Sequence, residues 1–386
     1  MAAMNVDLVV VGAGLFGLTV AERCAGRLGM RVLVVEARRH IGGNAYSELE
    51  PETGIEVHRY GAHLFHTSNE SVWAYANRFT RFTDYVHRVY TRHGDEIFPL
   101  PINLATINQF TRSAMSPSEA AAWVRDRAAQ YRDGDVSNLE RKAISLIGRD
   151  LYEAFVREYT AKQWEADPMD LPATVIARLP VRYTYDNRYF SDTHEGLPVD
   201  GYTRWFERMI DSDRVEILLG NDFLDRRSAV NKHNTVGRVE VVYTGPLDRY
   251  FDRVAGGLTW RTLDFAWEVV PTGDYQGTAV INYADRSIPY LRTIEFRHFH
   301  PERDHPRDRS VIAREYSRLA RPEDEPYYPV NSTMDRHTLH RYRNLARQET
   351  GVHFGGRLGT YRYLDMHMAI ASALRVVDRL AARRTV

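Results

Sequence analysis

The first forty residues alternate between two hydrophobic periods. A continuous β-branched run over Val9–Val11 is typical of a strand buried on both faces. Residues Leu18–Leu28 have the pattern of a helix packed on that strand, and Arg31–Val35 forms a second apolar run. The pattern predicts a strand–helix–strand unit at the start of a parallel sheet.

The turn inside this unit reads Gly12-Ala13-Gly14-Leu15-Phe16-Gly17. Its glycines permit a tight turn and close backbone approach to a pyrophosphate, which the helix N-terminus would face. Glu36 follows Gly12 by 24 positions, near the ~20 expected for the carboxylate that accepts ribose hydroxyls. We therefore predict a dinucleotide site that includes Gly12, Gly14, Phe16, Gly17 and Glu36. An ordinary glycine turn is the alternative, and the flanking elements disfavour it.

A second glycine turn, Gly42-Gly43-Asn44, lies just past Glu36. A glycine pair here lets another backbone segment approach the same dinucleotide, as in the two-domain FAD proteins that this stretch resembles. Gly43 and Asn44 therefore favour FAD over NAD, although an ordinary turn after the second strand is an alternative.

The remaining pattern predicts an α/β protein with a discontinuous Rossmann-like FAD-binding domain, a helical insertion and an antiparallel-sheet substrate domain. Ser116-Pro117-Ser118-Glu119 has the spacing of a capping box and predicts a helix start. The alternating segments that indicate the sheet are Asp264–Val270, Thr278–Tyr283, Leu291–Phe299 and Ser310–Tyr316. We expect the FAD domain over 1–69, 212–255 and 340–386, the helical domain over 70–176, and the sheet domain over 177–211 and 256–339.

Composition excludes several classes. Lys+Arg 51 equals Asp+Glu 51, so no basic field favours a nucleic-acid partner. Cys24 is the single cysteine, which fits a reducing compartment. The sequence shows neither a signal peptide nor a run of about 18 apolar residues, so we expect a cytoplasmic protein with no membrane partner. We expect no metal either, because the histidines between Arg297 and Arg309 lack ligand spacing.

Two groups of residues suggest ligand contacts without proving them. The aromatic rings in Tyr159–Trp164 can stack on a flat heterocycle, or they can simply pack a helix into the core. Arg178, Arg182 and Arg292 have the guanidinium forks that clamp a diphosphate, whereas spacing alone favours surface salt bridges. The sequence contains neither a second G-x-G-x-x-G in strand–helix context nor a G-x-S-x-G elbow, which disfavours NADPH oxidoreductases and hydrolases.

Longer motifs show a resemblance to the bacterial UDP-galactopyranose mutase family from Asp7 to about Leu374. The motifs are Gly61–Thr67, Tyr159–Trp164, Ile176–Arg182, Asp186–Phe190, Pro326–Pro329 and Gly356–Asp365. The resemblance implies non-redox isomerisation of UDP-galactopyranose and UDP-galactofuranose, which supplies cell-surface glycans. Reduced FAD would act through an adduct of its N5 with the anomeric carbon. A homodimer and an external flavin reductant are also implied.

The resemblance also implies residue roles. Arg178, on a mobile loop, and Arg292 would grip the diphosphate, and His63 would lie near the isoalloxazine. His63 or His66 could instead merely satisfy backbone groups. The residues implied in substrate binding are Phe155, Tyr159, Thr160, Trp164, Arg178, Tyr189, Asn282, Arg292, Tyr328, Arg357 and Tyr363. The further residues implied at the cofactor are His63, Leu64, Arg357, Tyr363, Leu364, Asp365 and Met366.

Two departures and two rival functions stay open at this point. Ala62 stands where many family members have proline, and Leu291 stands where threonine is expected before Arg292. One rival is a two-domain flavin oxidase or dehydrogenase of the amine-oxidase-like class. The other is an FAD-bound interaction protein without catalysis. Measuring turnover with oxidised and with reduced flavin distinguishes the mutase, the oxidase or dehydrogenase, and the interaction protein.

Overall fold

The computed structural model describes residues 5–131, 134–176 and 181–384. Its strands are β1 Leu8–Val11, β2 Val32–Glu36, β3 Ser47–Leu49, β4 Glu56–His58, β5 Phe65–Thr67, β6 Val89–His93, β7 Glu96–Leu100, β8 His194–Gly196, β9 Val215–Leu219, β10 Glu240–Tyr243, β11 Trp260–Val270, β12 Val280–Tyr283, β13 Arg292–Glu295, β14 Ser310–Leu319, β15 Tyr328–Pro329 and β16 Val352–Phe354. Its α-helices are α1 Leu15–Leu28, α2 Glu70–Ala76, α3 Leu104–Thr111, α4 Pro117–Ala129, α5 Leu139–Ile147, α6 Arg149–Tyr152, α7 Glu158–Trp164, α8 Tyr202–Met209, α9 Lys232–Thr235, α10 Leu247–Tyr250, α11 Thr333–Gln348, α12 Gly356–Thr360 and α13 Met366–Arg384.

A five-stranded parallel sheet has the order β16-β10-β1-β2-β9. Leu8 and Val10 pack into one apolar cluster and Val9 and Val11 into another, so both faces of β1 are covered. Helices α1 and α13 pack against each other on one face. The predicted Rossmann-like unit and its later returns to the sheet are therefore present.

A seven-stranded sheet has the order β15-β11-β14-β13-β12-β6-β7. Most neighbours are antiparallel, as expected, but β12 and β6 run parallel, so the sheet is mixed. The prediction of one helical domain over 70–176 is wrong for β6 and β7, which belong to this sheet. Alternation in these two short strands is weak, and their sheet neighbour β12 lies far away in sequence.

Helices α3 to α6 pack around their own apolar cluster beside this sheet. The predicted capping box at Ser116 and Glu119 begins α4, with Pro117 as its first residue. Residues 177–211 were expected in the sheet domain. Instead, β8 pairs with β5 and α8 packs against α1, so these two elements join the parallel-sheet unit, whereas Val181 and Tyr183 pack against the helical cluster. The exact domain boundaries stay a prediction.

Candidate functional site

The two glycine turns lie against each other at the carboxyl end of β1. Gly12 has φ +103°, and a Cβ there would lie 2.0 Å from Thr244 Oγ1. A Cβ on Gly17 would lie 2.0 Å from the Gly12 carbonyl oxygen, so helix and turn permit no side chain. A Cβ on Gly14 would instead meet only the Gly43 Cα at 4.0 Å. The space beside Gly14 is therefore an open groove, which a side chain could enter without a clash with the protein itself.

Glu36 and Arg38 form one side of this groove. The Glu36 carboxylate accepts hydrogen bonds from the backbone N–H of Ala13 at 2.7 Å and of Arg38 at 2.8 Å. The Arg38 guanidinium lies 4.3 Å from the Tyr60 ring centroid, and its Nη2 donates to Glu325 at 2.8 Å. Its Nη1 is buried with no hydrogen-bond partner. A buried donor without a partner costs free energy, so this position favours a ligand that supplies an acceptor.

One cavity of about 1170 Å³ runs from the glycine turns to the seven-stranded sheet. Most predicted site residues line it: Gly12, Gly14, Phe16, Gly17, Glu36, Gly43, Asn44, Phe155, Tyr159, His63, Leu64, Trp164, Tyr189, Asn282, Arg292, Tyr328, Arg357, Tyr363, Leu364, Asp365 and Met366. Thr160 is buried at 8% exposure and is not among the lining residues. Arg178, predicted to grip the diphosphate, lies outside the described residues.

A row of polar side chains crosses the seven-stranded sheet where it lines the cavity. Thr91 on β6 pairs with Asn282, Asn282 with Arg292 on β13, and Arg292 with Glu315 on β14. Side chains at directly paired positions lie on the same face of a sheet. All four residues line the cavity, so the strand register assembles them. The Asn282 Oδ1 atom is buried and has no hydrogen-bond partner.

Arg292 is held on two sides. Its Nη2 donates to the Tyr159 hydroxyl at 2.6 Å, and its Nε lies 3.4 Å from Glu315 Oε1 without a hydrogen bond. Burial opposes the charge of Arg292, but the nearby Glu315 carboxylate raises its pKa overall, so the guanidinium stays positive. Burial raises the pKa of Glu315, and the charge of Arg292 only partly offsets this. The result is a fixed cation with one N–H free to meet an anion.

A second part of the cavity wall comes from one helical stretch, residues 153–164. A π-helical turn over Glu153–Arg157 joins α6 to α7 and places Phe155 at the cavity. Such turns insert one extra residue per turn and frequently occur at functional sites. At the end of α7, the Trp164 carbonyl accepts from Arg261 Nη1 at 3.2 Å. Tyr159, Phe155 and Trp164 thus give the cavity an aromatic lining.

Two of the cavity histidines, His63 and His87, are held neutral. Burial lowers the pKa of His63 to about 4, and its Nδ1 hydrogen-bonds to the Gly61 carbonyl at 2.8 Å. Burial, assisted by the charge of Arg292, lowers the pKa of His87 to about 3. His66 Nδ1 bonds to Asp192 at 2.7 Å, and its ring stacks on Phe190. His63 therefore both lines the cavity and satisfies a backbone carbonyl, which were the two alternatives.

Sequence reasoning missed several lining residues, among them Arg38, His87, Arg261 and Glu315. Glu315 follows Arg314 in the middle of β14, and its pairing with Arg292 could not be predicted without the strand register. Arg38 lies two residues past Glu36, and this proximity to a predicted cofactor residue could have indicated that Arg38 lines the same site. No comparable pattern marks His87 or Arg261.

A parallel sheet with facing glycine turns at its carboxyl edge defines a dinucleotide-binding protein of the Rossmann-like class. Family models agree: one described as NAD(P)-binding Rossmann-like domain matches residues 10–79, and one described as UDP-galactopyranose mutase matches 154–363. The chain is 42% identical over 379 residues to the probable UDP-galactopyranose mutase of Klebsiella pneumoniae, covering 97% of this chain and 94% of that protein. The chain belongs to the UDP-galactopyranose mutase family.

Two further similarities bear on function and fold. The dTDP-fucopyranose mutase of Escherichia coli is 38% identical over 368 residues, covering 95% of this chain and 96% of that protein. A crystal structure of reduced UDP-galactopyranose mutase has a TM-score of 0.73 at 15% identity, covering 99% of this chain and 95% of that one. Within the described residues, none of the helices has both the length and the apolar character to cross a bilayer.

Proposed function

We propose that this chain is a flavin-dependent mutase that interconverts UDP-galactopyranose and UDP-galactofuranose. Membership of the family supports this over the oxidase and interaction-protein alternatives. The observation that carries the proposal is a matched pair of unpartnered buried atoms on paired positions of β12 and β13. Arg292 Nε is a free donor with positive charge, and Asn282 Oδ1 is a free acceptor. A pyrimidine nucleoside diphosphate carries both complements, a ring N–H and an anionic diphosphate.

The residues at the glycine turns fit FAD. The groove kept open at Gly14 and Gly43 admits a pyrophosphate next to the N-terminus of α1, whose first turn contains no acidic residue. Glu36 suits the adenosine ribose, and Arg38 Nη1 provides a donor that lacks an acceptor. Reduced FAD, when bound, would supply the nucleophilic nitrogen that attacks the anomeric carbon of the sugar.

The protein's own side chains would bind and orient the substrate and neutralise the charge of its diphosphate. Arg292 stabilises the charge that develops on the departing diphosphate, and Tyr159 and Glu315 fix its orientation. Phe155 and Trp164 offer aromatic faces to the base. Tyr189 and Tyr363 are 46% and 55% exposed, so they sit at the solvent side of the cavity near the incoming sugar. Arg178 is proposed as the second diphosphate-binding arginine.

No side-chain thiol competes with the flavin as the nucleophile. Burial raises the pKa of Cys24, the single cysteine, to about 12, and Cys24 lies on the buried face of α1 in the core. Neutral His63 and His87 add no positive charge near the reacting sugar. We further propose a cytoplasmic homodimer that depends on an external flavin reductant and supplies galactofuranose for cell-surface glycans.

The test is incubation of purified, dithionite-reduced protein with UDP-galactofuranose, followed by chromatography of the nucleotide sugars. We expect conversion to UDP-galactopyranose with no net consumption of reductant or oxygen, and none with fully oxidised protein. A parallel incubation with dTDP-fucopyranose tests the second candidate substrate, which the similarity to the Escherichia coli enzyme favours. Turnover of dTDP-fucopyranose alone would reassign the substrate, and oxygen consumption with product oxidation would overturn the isomerase.

A further inference from the structure

Lys162 lies in α7 between Tyr159 and Trp164 but does not line the cavity. Its ammonium nitrogen instead lies within hydrogen-bond distance of four backbone carbonyl oxygens of a single loop. These are the carbonyl oxygens of Tyr283 at 2.6 Å, Asp285 at 2.9 Å, Ile288 at 3.0 Å and Tyr290 at 3.2 Å. An ammonium has three N–H donors, so at least two of these carbonyls share one.

The loop that Lys162 holds connects β12 to β13. Tyr283 directly follows Asn282, and Tyr290 comes two residues before Arg292. Lys162 therefore joins the two ends of the loop, and Asn282 and Arg292 lie on the strands next to those ends. The Tyr283 N–H also donates to the Leu291 carbonyl at 2.9 Å, which closes the base of the loop.

We infer that Lys162 is a positioning residue that sets the separation between the α7 wall and the Asn282–Arg292 pair, and so determines affinity for the nucleoside diphosphate. This inference rests on the proposed function, because it assigns those two walls to one substrate. Among the described residues, Arg292 donates one hydrogen bond to α7, to the Tyr159 hydroxyl, and this bond requires the helix and the sheet to keep their relative position. Lys162 fixes that register from outside the cavity.

Two carboxylates face the charge of Lys162, and each has a charged or titratable partner of its own. They belong to Asp285 and Glu158; Asp285 in turn lies 3.8 Å from His93, and Glu158 lies 4.0 Å from Arg286. Burial lowers the pKa of Lys162 to about 8, and the two carboxylates only partly offset the effect. Because burial in the closed loop lowers this pKa from its usual value near 10.5, opening of the loop takes up a proton above pH 8, and the closed loop is favoured as pH rises through that value.

The first test compares Lys162→Met with Lys232→Met. Methionine keeps the unbranched chain and removes the donors. Lys232 is a matched control because its Nζ also donates to a backbone carbonyl, that of Tyr250 at 2.6 Å, away from Asn282 and Arg292. In Lys162→Met we expect at least a tenfold rise in the Kd for UDP and a similar rise in KM, with kcat within threefold and FAD content unchanged. Lys232→Met should leave all four within twofold.

The second test uses the parent protein and hydrogen–deuterium exchange, so it does not depend on a variant folding. Protection factors of amides 284–291 in the parent, corrected for the intrinsic pH dependence of exchange, should rise between pH 8 and 9.5, and Lys162→Met should lack this rise. Exchange of amides 284–291 should be faster in Lys162→Met and unchanged in Lys232→Met.

The outcomes separate this inference from the proposed function. UDP affinity within twofold of the parent in Lys162→Met, or the same loss in Lys232→Met, overturns the positioning role even if the parent isomerises UDP-galactopyranose. A loss confined to kcat also overturns it. A parent protein that binds UDP through the Lys162-dependent loop but isomerises no nucleotide sugar overturns the proposed function and leaves the positioning role standing.

Discussion

Arg292 and Glu315 occupy directly paired positions on β13 and β14, with Nε and Oε1 3.4 Å apart inside the cavity wall. Because both side chains are largely removed from water, each depends on the other for charge compensation. Yet Nε makes no hydrogen bond to the carboxylate. The pair is thus arranged to hold a cation in place while leaving its donor for a ligand.

Replacing Glu315 by glutamine removes this compensation. Breaking a buried pair costs roughly 3 kcal/mol, so we expect a lower Tm without ligand. Saturating UDP should raise the Tm more in Glu315→Gln than in the parent, because the diphosphate supplies the missing negative charge. Differential scanning fluorimetry with and without UDP measures both. Glu268→Gln, at a surface pair with Arg314, is the control and should change neither; equal UDP shifts in Glu315→Gln and the parent would contradict the assignment.

Replacing Arg292 by alanine tests charge stabilisation directly. We expect kcat/KM to fall by the equivalent of about 3 kcal/mol, the scale seen when one charge-stabilising donor is removed. Arg292→Lys should recover little, because an ammonium cannot contact Tyr159 and a diphosphate as a planar fork does. Arg314→Ala serves as the control on the same sheet and should stay within threefold of the parent. A parent-like rate in Arg292→Ala would place the clamp elsewhere.

The two glycines of the first turn should respond differently to substitution. A Gly14→Val chain should fold, since the nearest atom to its Cβ is 4.0 Å away, but its side chain fills the groove and should give colourless protein. In Gly17→Ala the new Cβ meets the Gly12 carbonyl oxygen at 2.0 Å, so the turn itself should fail and the protein should lose stability. Flavin absorbance and circular dichroism separate the effects. A folded Gly14→Val protein with full FAD content would refute the groove as the cofactor site.

Acid should destabilise the protein through its buried neutral histidines. His87 has a folded-state pKa of about 3, whereas an unfolded histidine titrates near 6.5, so the unfolded chain binds the proton first as pH falls. Its stability contribution is present above pH 6.5 and should decrease by about 2 kcal/mol between pH 6.5 and 5. Urea unfolding of the parent and His87→Asn measures the difference, and the variant should lose less.

His298 is the control with the opposite sign. Its burial is outweighed by the hydrogen bond to Glu295, so its pKa is raised. Its contribution is present below the unfolded pKa and is lost as pH rises through the folded pKa, so His298→Asn should be more sensitive to acid than the parent. The same pH slope in both variants would show that other groups govern the acid response.

Local pattern was enough to predict the first strand–helix–strand unit and the antiparallel tendency of the later segments. The glycine turn, the helix and both strands lie within thirty positions of one another, so sequence neighbours are also spatial neighbours. The cap at Ser116 is equally local. The same reasoning failed for β6 and β7, because a short strand next to helices shows little periodicity and its sheet partner β12 lies far along the chain.

The candidate site divides in the same way. Most of its residues follow from long motifs, whereas Glu315 and Lys162 gain their roles only through register and packing. The Lys162 contacts join a helix to a loop more than a hundred positions away, and no spacing rule connects the two.

The order of strands in the parallel sheet has a consequence for biosynthesis. Strand β1 lies between β2, which follows it at once, and β10, which the ribosome makes some two hundred residues later. Throughout that interval one edge of an apolar, β-branched strand has no native neighbour, and open edges of this kind pair with other chains. Chaperone supply and the rate of translation should therefore limit the yield of folded protein more than the stability of the finished molecule does.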